Sequence, residues 1–174
     1  MAKIIYKKWE KGQNKLSSIK GIEIDLFNGQ KALIYPKYSE EPLLSDGEIG
    51  KWDASTLAEI EALKVTDTAF ATECLRDIDS PSALWVSQFK YAKYSNFSLP
   101  SLLAAMEIQH QKKEIDALAE TIDGADLLRD FVPKIWSCLR CGSNCGWYAG
   151  GYGGYANYGI LHNAYLAVPT ILYK

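Results

Sequence analysis

The sequence predicts an α+β domain. Three observations carry that reading. Short period-two segments lie near the start, amphipathic helical segments fill the middle, and a glycine- and tyrosine-rich tail poor in helix formers closes the chain. Strands followed by helices followed by strands do not make a βαβ repeat, and no internal repeat is visible. A chain of 174 residues is expected to form one domain, 1–174, with a core of its own.

Taken in order, residues 4–9, 20–26 and 31–36 read as strands. In the second, Ile22, Ile24 and Leu26 alternate with Glu23 and Asp25. Asn28-Gly29 between the second and third is a hairpin turn signal, because both residues tolerate positive φ. Residues 37–50 carry Pro and Gly and read as a loop. Residues 55–65 read as a helix: Thr56 and Glu59 have capping-box spacing, and Leu57, Ile60 and Leu63 share one side. Residues 66–78 read as a short second helix or an irregular segment with Cys74 buried in it. The aromatic stretch 80–97 reads as loop with a short helix or strand.

Pro100 suits the first turn of a helix. Leu102, Leu103 and Met106, then Ile115, Leu118 and Ile122, give an amphipathic pattern that the polar run 109–114 interrupts. That run is either a break between two helices or an exposed stretch of one. Gly124 offers a helix end. After Pro133 the expectation is strands joined by tight turns.

A net charge of -2 gives no general attraction to nucleic acid. The opening MAKIIYKKWEKG has no apolar core, so no secretory signal is expected, and no apolar run is long enough for a transmembrane helix. No membrane insertion is therefore expected. No Ser-His-Asp order, H-E-x-x-H or P-loop is present, and the glycines of 146–159 do not lead from a strand into a helix. His110 lies in a polar stretch and reads as solvated. These observations predict a protein that is not an enzyme and uses no cofactor.

Cys138, Cys141 and Cys145 form the loudest local motif. Thiolates at that spacing wrap a tetrahedral metal when a fourth ligand completes the set, here Cys74 or His162. A small metal-binding module is thus the alternative reading. Against it stands the incomplete ligand set, which favours unlinked surface thiols.

Tyr148, Tyr152, Tyr155, Tyr158 and Tyr165 recur with small residues between them. Tyrosine gives wide, rigid, amphipathic contact at low entropic cost, and Gly, Ser and Asn add adaptable hydrogen bonding. The competing structural reading has these tyrosines packed on the core. Base stacking on RNA is disfavoured because Arg140 is the only charged residue between Trp136 and Tyr173.

The tail also lacks particular residue types. From Ser137 to Val168 there is no Lys, Glu, Gln or Met and one Trp, Trp147. At the composition of the preceding chain, about eight of these five types would be expected. Randomising both adenines of an AAC or AAT codon can never give Lys, Glu, Gln, Met, Trp or a stop, and every residue in the window except Trp147 is reachable that way. Such a process would also scatter cysteines without a metal in view.

With these residues in place, the tail resembles the variable region of proteins diversified by diversity-generating retroelements. The resemblance rests on Trp136-Ser137, Gly146-Trp147, Gly153-Gly154, the Asn- and Tyr-rich stretch Tyr155 to Tyr165, and Ala167-Val168-Pro169. Upstream, LPSLLAAMEI (99–108) and IDALAETIDGADLL (115–128) look like the helical segments of the same modules. It covers about the last 80 residues, and the first 80 or so show no such resemblance. Ala167 stands where an arginine is usual, and Ala104 or Ala105 where an acid is usual.

The resemblance implies a C-type lectin-like fold with two main helices, a small antiparallel sheet and no calcium site. It implies a ligand- or receptor-binding protein, phage tail-associated or displayed on a cell surface, whose partner is a protein or glycan on another cell. The variable binding region would run over about 136–168, with Trp136 and Trp147 as fixed packing anchors. The candidate ligand-binding residues are Leu139, Arg140, Cys141, Asn144, Tyr148, Gly150, Tyr152, Tyr155, Asn157, Ile160, His162, Asn163 and Tyr165. Leu139, Ile160 and Leu161 are expected to be partly exposed, as in a binding patch.

Overall fold

A computed structural model describes residues 1–8, 10–45, 59–92, 95–128, 133–142, 144–150 and 155–174. They fold as α+β. The first sheet has strand order β1-β2-β3-β11, from β1 (Lys3–Tyr6), β2 (Ile19–Asp25), β3 (Lys31–Ile34) and β11 (Thr170–Tyr173), with every neighbour antiparallel. The β2–β3 hairpin turns at Asn28-Gly29 as expected. Gly29 has φ +80°, and its N–H donates to the Leu26 carbonyl at 3.0 Å.

The second sheet has order β4-β10-β7-β8-β9: β4 (Ser39–Pro42), β10 (Ala164–Ala167), β7 (Ile135–Arg140), β8 (Cys145–Ala149) and β9 (Ala156–Ile160). Its pairs are antiparallel except β10–β7. β4 corrects the loop expected over 37–50, and 46–50 lie outside the described residues. The sequence gives no sign of β4, because Ser39, Glu40, Glu41 and Pro42 have no apolar alternation and no strand-favouring residue types. Pairing with β10 makes them a strand.

Between the sheets in sequence run short helices: α1 (Glu59–Ala62), α2 (Thr68–Arg76), α3 (Pro81–Ser87), α4 (Leu102–His110) and α5 (Lys112–Ala119), with the hairpin β5 (Lys90–Ala92) and β6 (Ser95–Asn96) after α3. The first turn of the helix expected over 55–65, with its capping box, lies outside the described residues. Cys74 is half-buried rather than buried. Pro100 stands one residue before the α4 cap, not in its first turn: the Ser101 hydroxyl caps the helix by accepting from the Ala104 N–H at 3.1 Å. The polar run is a helix break at Gln111, and α5 ends at Ala119, before the left-handed Gly124. The resemblance implied two main helices and one small antiparallel sheet. The described residues hold two larger sheets, one of them mixed, and helices of nine residues or fewer.

Two apolar clusters result. Ile22, Ile24, Ala32 and Ile34 of the first sheet join Ala104, Ala105 and Ile108 of α4 and Ile115 of α5. Trp136, Tyr148 and Leu161 of the tail join Leu75 of α2 and Ala83 and Val86 of α3. Ser80 ties the second cluster together. Its hydroxyl accepts from the Ala83 N–H at 3.2 Å, capping α3, and donates to the Leu43 carbonyl at 2.6 Å. Ser82 donates to the Pro42 carbonyl at 2.8 Å, so helix α3 covers the β4 edge of the sheet. Among the described residues no helix is long and apolar enough to cross a membrane.

Candidate functional site

The site is built on β7, β8 and β9, and its foundation is aromatic. Trp136 is fully buried, and its indole N–H donates to the Glu41 carbonyl of β4 at 3.0 Å. Tyr148 lies opposite it in the ladder, edge to face at 6.0 Å between ring centroids. Tyr165 of β10 closes the group, 4.5 Å from the Trp136 ring and 4.6 Å from that of Tyr148. Burial, then the neighbouring Tyr165, raises the Tyr148 phenol above its ordinary pKa, so it remains a neutral packing group. Trp147 is buried behind Tyr158, its partner across β8 and β9, with their rings perpendicular at 6.3 Å.

Glycines make room for these rings. A Cβ on Gly146 would meet Leu43 at 2.6 Å, Leu161 at 3.2 Å and Trp136 at 3.3 Å. The β7–β8 turn is closed by a Cys141–Cys145 disulfide with Cα atoms 5.5 Å apart, and by the Cys141 N–H donating to the Cys145 carbonyl at 3.0 Å. The Arg140 guanidinium folds back to donate to the Gly142 carbonyl. The Leu161 N–H donates to the Asn144 carbonyl at 3.1 Å, joining this tip to the β9–β10 turn.

On that foundation stands an exposed, uncharged group. Tyr155 is 69% exposed, Tyr158 66% and Ile160 46%, while Asn144, Asn157 and His162 are also exposed. Cross-strand partners share a face, so Asn157 lies on the Tyr148 side of β9 and Tyr158 on the Trp147 side. The exposed side chains therefore wrap the β9 edge of the sheet, which has no further strand beside it among the described residues, rather than forming one flat face. At its rim, the Asn163 amide donates to the Tyr165 hydroxyl at 3.1 Å, and the Lys134 ammonium lies 5.1 Å from the centre of the Tyr165 ring. Such a surface offers ring faces, amides and hydroxyls, with little charge, to whatever it meets.

Several of the candidate residues are not on this surface. Leu139 is buried because both faces of β7 are covered, as the burial of every residue from Ile135 to Leu139 shows, and its side chain joins the second cluster. Tyr148 is buried by Trp136 and Tyr165. Gly150 is buried against Pro133 and Lys134. Leu161, expected to be partly exposed, is fully buried, its backbone held by Asn144 and Leu44. Arg140, Cys141, Asn163 and Tyr165 are half-buried, and Tyr152 lies outside the described residues.

The three thiols are not unlinked surface groups. Cys141 and Cys145 are joined, and Cys138 is buried, which pushes its thiol up to about 12. The disulfide occupies two of the three sulfurs that the alternative metal site would use, and among the described residues no group of three His, Cys, Asp or Glu side chains is placed to hold a metal. Two surface residues were missed from the candidates. Tyr158 was legible in the alternation Ala156-Tyr158-Ile160 along a half-exposed strand. Lys134 precedes the uncharged window, and only the packing of β10 beside β7 brings it to Tyr165.

No protein-family model, curated protein or solved structure matches the chain.

Proposed function

We propose that this chain is a non-enzymatic ligand-binding protein that meets its partner through the exposed side chains of β9 and its flanking turns. One observation carries the reading: Tyr158 and Ile160 on β9, and Tyr155 just before it, stand out in solvent, while buried Trp147 and Tyr148 of the neighbouring β8 and Trp136 of β7 hold the strand on its two faces. Exposed aromatic groups on a rigid support are costly to a free surface and useful to a contact surface. The partner is a protein or glycan receptor on another cell, and the chain is carried on a virion tail or a cell surface.

The resemblance in the tail extends this to a variable protein of a diversity-generating retroelement with a divergent C-type lectin-like fold. In support, the exposed positions Asn144, Tyr155, Asn157, Tyr158, Ile160 and His162 all fall within the window reachable from adenine-mutated codons. Sequencing this coding region from independent isolates tests the reading. Differences should concentrate in codons of the exposed tail residues, opposite adenines of a nearby near-copy, with Trp136 and Trp147 constant. A tail without variation, or variation spread evenly along the chain, overturns it.

A further inference from the structure

β9 is the outer strand of its sheet, and β8 is its one strand neighbour among the described residues. An antiparallel ladder alternates residues that bond inward with residues whose peptide groups face away. The Gly150 N–H donates to the Tyr155 carbonyl at 3.2 Å and the Leu161 N–H to the Asn144 carbonyl at 3.1 Å. In the register of β8 and β9, Tyr155, Asn157, Gly159 and Leu161 therefore bond towards β8, and Ala156, Tyr158 and Ile160 turn their peptide groups to the open side.

An open edge templates the addition of another strand, and proteins usually deter this with charge, proline or a covering element. The segment Ala156–Ile160 contains neither charge nor proline. Two of its outward groups are instead occupied locally. The Tyr158 N–H donates to the Asn157 side-chain oxygen at 2.9 Å, and the Ile160 carbonyl accepts from the Asn163 N–H at 3.0 Å in the following turn.

The position of the first bond decides what it does. If β9 paired antiparallel with a second copy of itself about a two-fold axis at Tyr158, the central contact would be a mutual pair of hydrogen bonds, Tyr158 N–H to Tyr158 carbonyl in each direction. The Asn157 oxygen occupies that donor. The Ile160 carbonyl, by contrast, retains a second lone pair for a partner. An uncharged strand also meets its own copy without like-charge repulsion. We infer that the Asn157 side chain is the guard of this sheet edge, and that the surface it holds shut fits a second copy of β9 in antiparallel pairing. The inference concerns strand pairing by the β9 main chain, whereas binding as proposed above uses side chains; it makes Asn157 the tail position where exchange for a residue without a side-chain acceptor carries a cost.

Two substitutions in the full chain test it. Asn157→Ala removes the acceptor. At low concentration the Tyr158 amide should exchange hydrogen about fivefold faster than in the parent, the factor equivalent to one ordinary hydrogen bond of about 1 kcal/mol. Between micromolar and millimolar concentration, sedimentation velocity should show this variant dimerising at a concentration about 25-fold lower than the parent, the fivefold factor counted once in each protomer. Adding Tyr158→Pro, which removes the outward N–H at an edge position where proline is tolerated, should return it to monomer. A monomeric Asn157→Ala variant throughout that range overturns the inference. So does a parent that dimerises as readily, or a double variant that dimerises like the single one.

Discussion

Tyr165 lies across Gly159: a Cβ built on Gly159 would stand 2.7 Å from the Tyr165 ring and 3.2 Å from that of Tyr148. The two tyrosines come from β10 and β8, so a missing side chain on β9 lets both rings settle beside Trp136. The exposed edge above thus depends on what is absent beneath it.

Gly159→Ala should therefore act as an overpacking substitution. The expected loss is about 1–3 kcal/mol, read from the urea midpoint, with near-ultraviolet circular dichroism showing the tyrosine environment altered. An unchanged midpoint would mean that Tyr165 swings away freely and does not anchor the face.

Foundation and surface should separate cleanly. Trp136→Ala, at a fully buried indole bonded to Glu41, should cost about 3–5 kcal/mol. Tyr155→Ala, at an exposed position, should stay within about 0.5 kcal/mol of the parent, while Tyr158→Ala, which uncovers one side of Trp147, should cost about 0.5–1.5 kcal/mol; on the proposed function both should weaken attachment to receptor-bearing cells. Equilibrium unfolding of the three variants checks the first part. A large loss at Tyr155 or Tyr158 would assign those rings to the fold.

The far sheet predicts an acid response. Burial alone would raise the Glu23 carboxyl, but hydrogen bonds from Tyr173, Lys3 and Lys31 outweigh it and hold the group at about 2. The folded value lies below the unfolded one of about 4.5, so this contribution to stability is complete above pH 4.5. It is lost as pH falls from there through 2. Glu23→Gln should flatten the decline of the urea midpoint over that interval, and a parallel decline in the variant would count against the cluster.

Reducing the Cys141–Cys145 disulfide should loosen the tip and leave the sheet folded. A bridge closing so short a loop contributes about 2 kcal/mol in the chain-entropy account. Faster exchange at the Leu161 amide, which bonds the Asn144 carbonyl, would report the loosening. Cys138 should stay unreactive to alkylating reagents until the chain unfolds, since burial holds its thiol up at about 12. Rapid alkylation of Cys138 in the folded protein would contradict its placement.

Local chemistry was enough for several elements. The alternation around Ile22 and Ile24 with Asn28-Gly29 marks the first hairpin, and the apolar spacing from Leu102 onward marks a helical region, though only the structure shows the break at Gln111 that separates α4 from α5. The composition after Pro133 marks a strand-rich tail that differs from the rest of the chain. These signals are local because side-chain period and turn propensity act over a few residues. Tertiary structure alone decided three further things. It made a strand of Ser39–Pro42 by setting it against β10, it drew Leu139, Tyr148 and Leu161 into the core, and it left Tyr155, Tyr158 and Ile160 outside. In a tail with aromatic and apolar residues on both sides of its strands, alternation cannot say which side is covered. That depends on where α2, α3 and α4 pack, and their contacts are fixed only when distant parts of the chain meet.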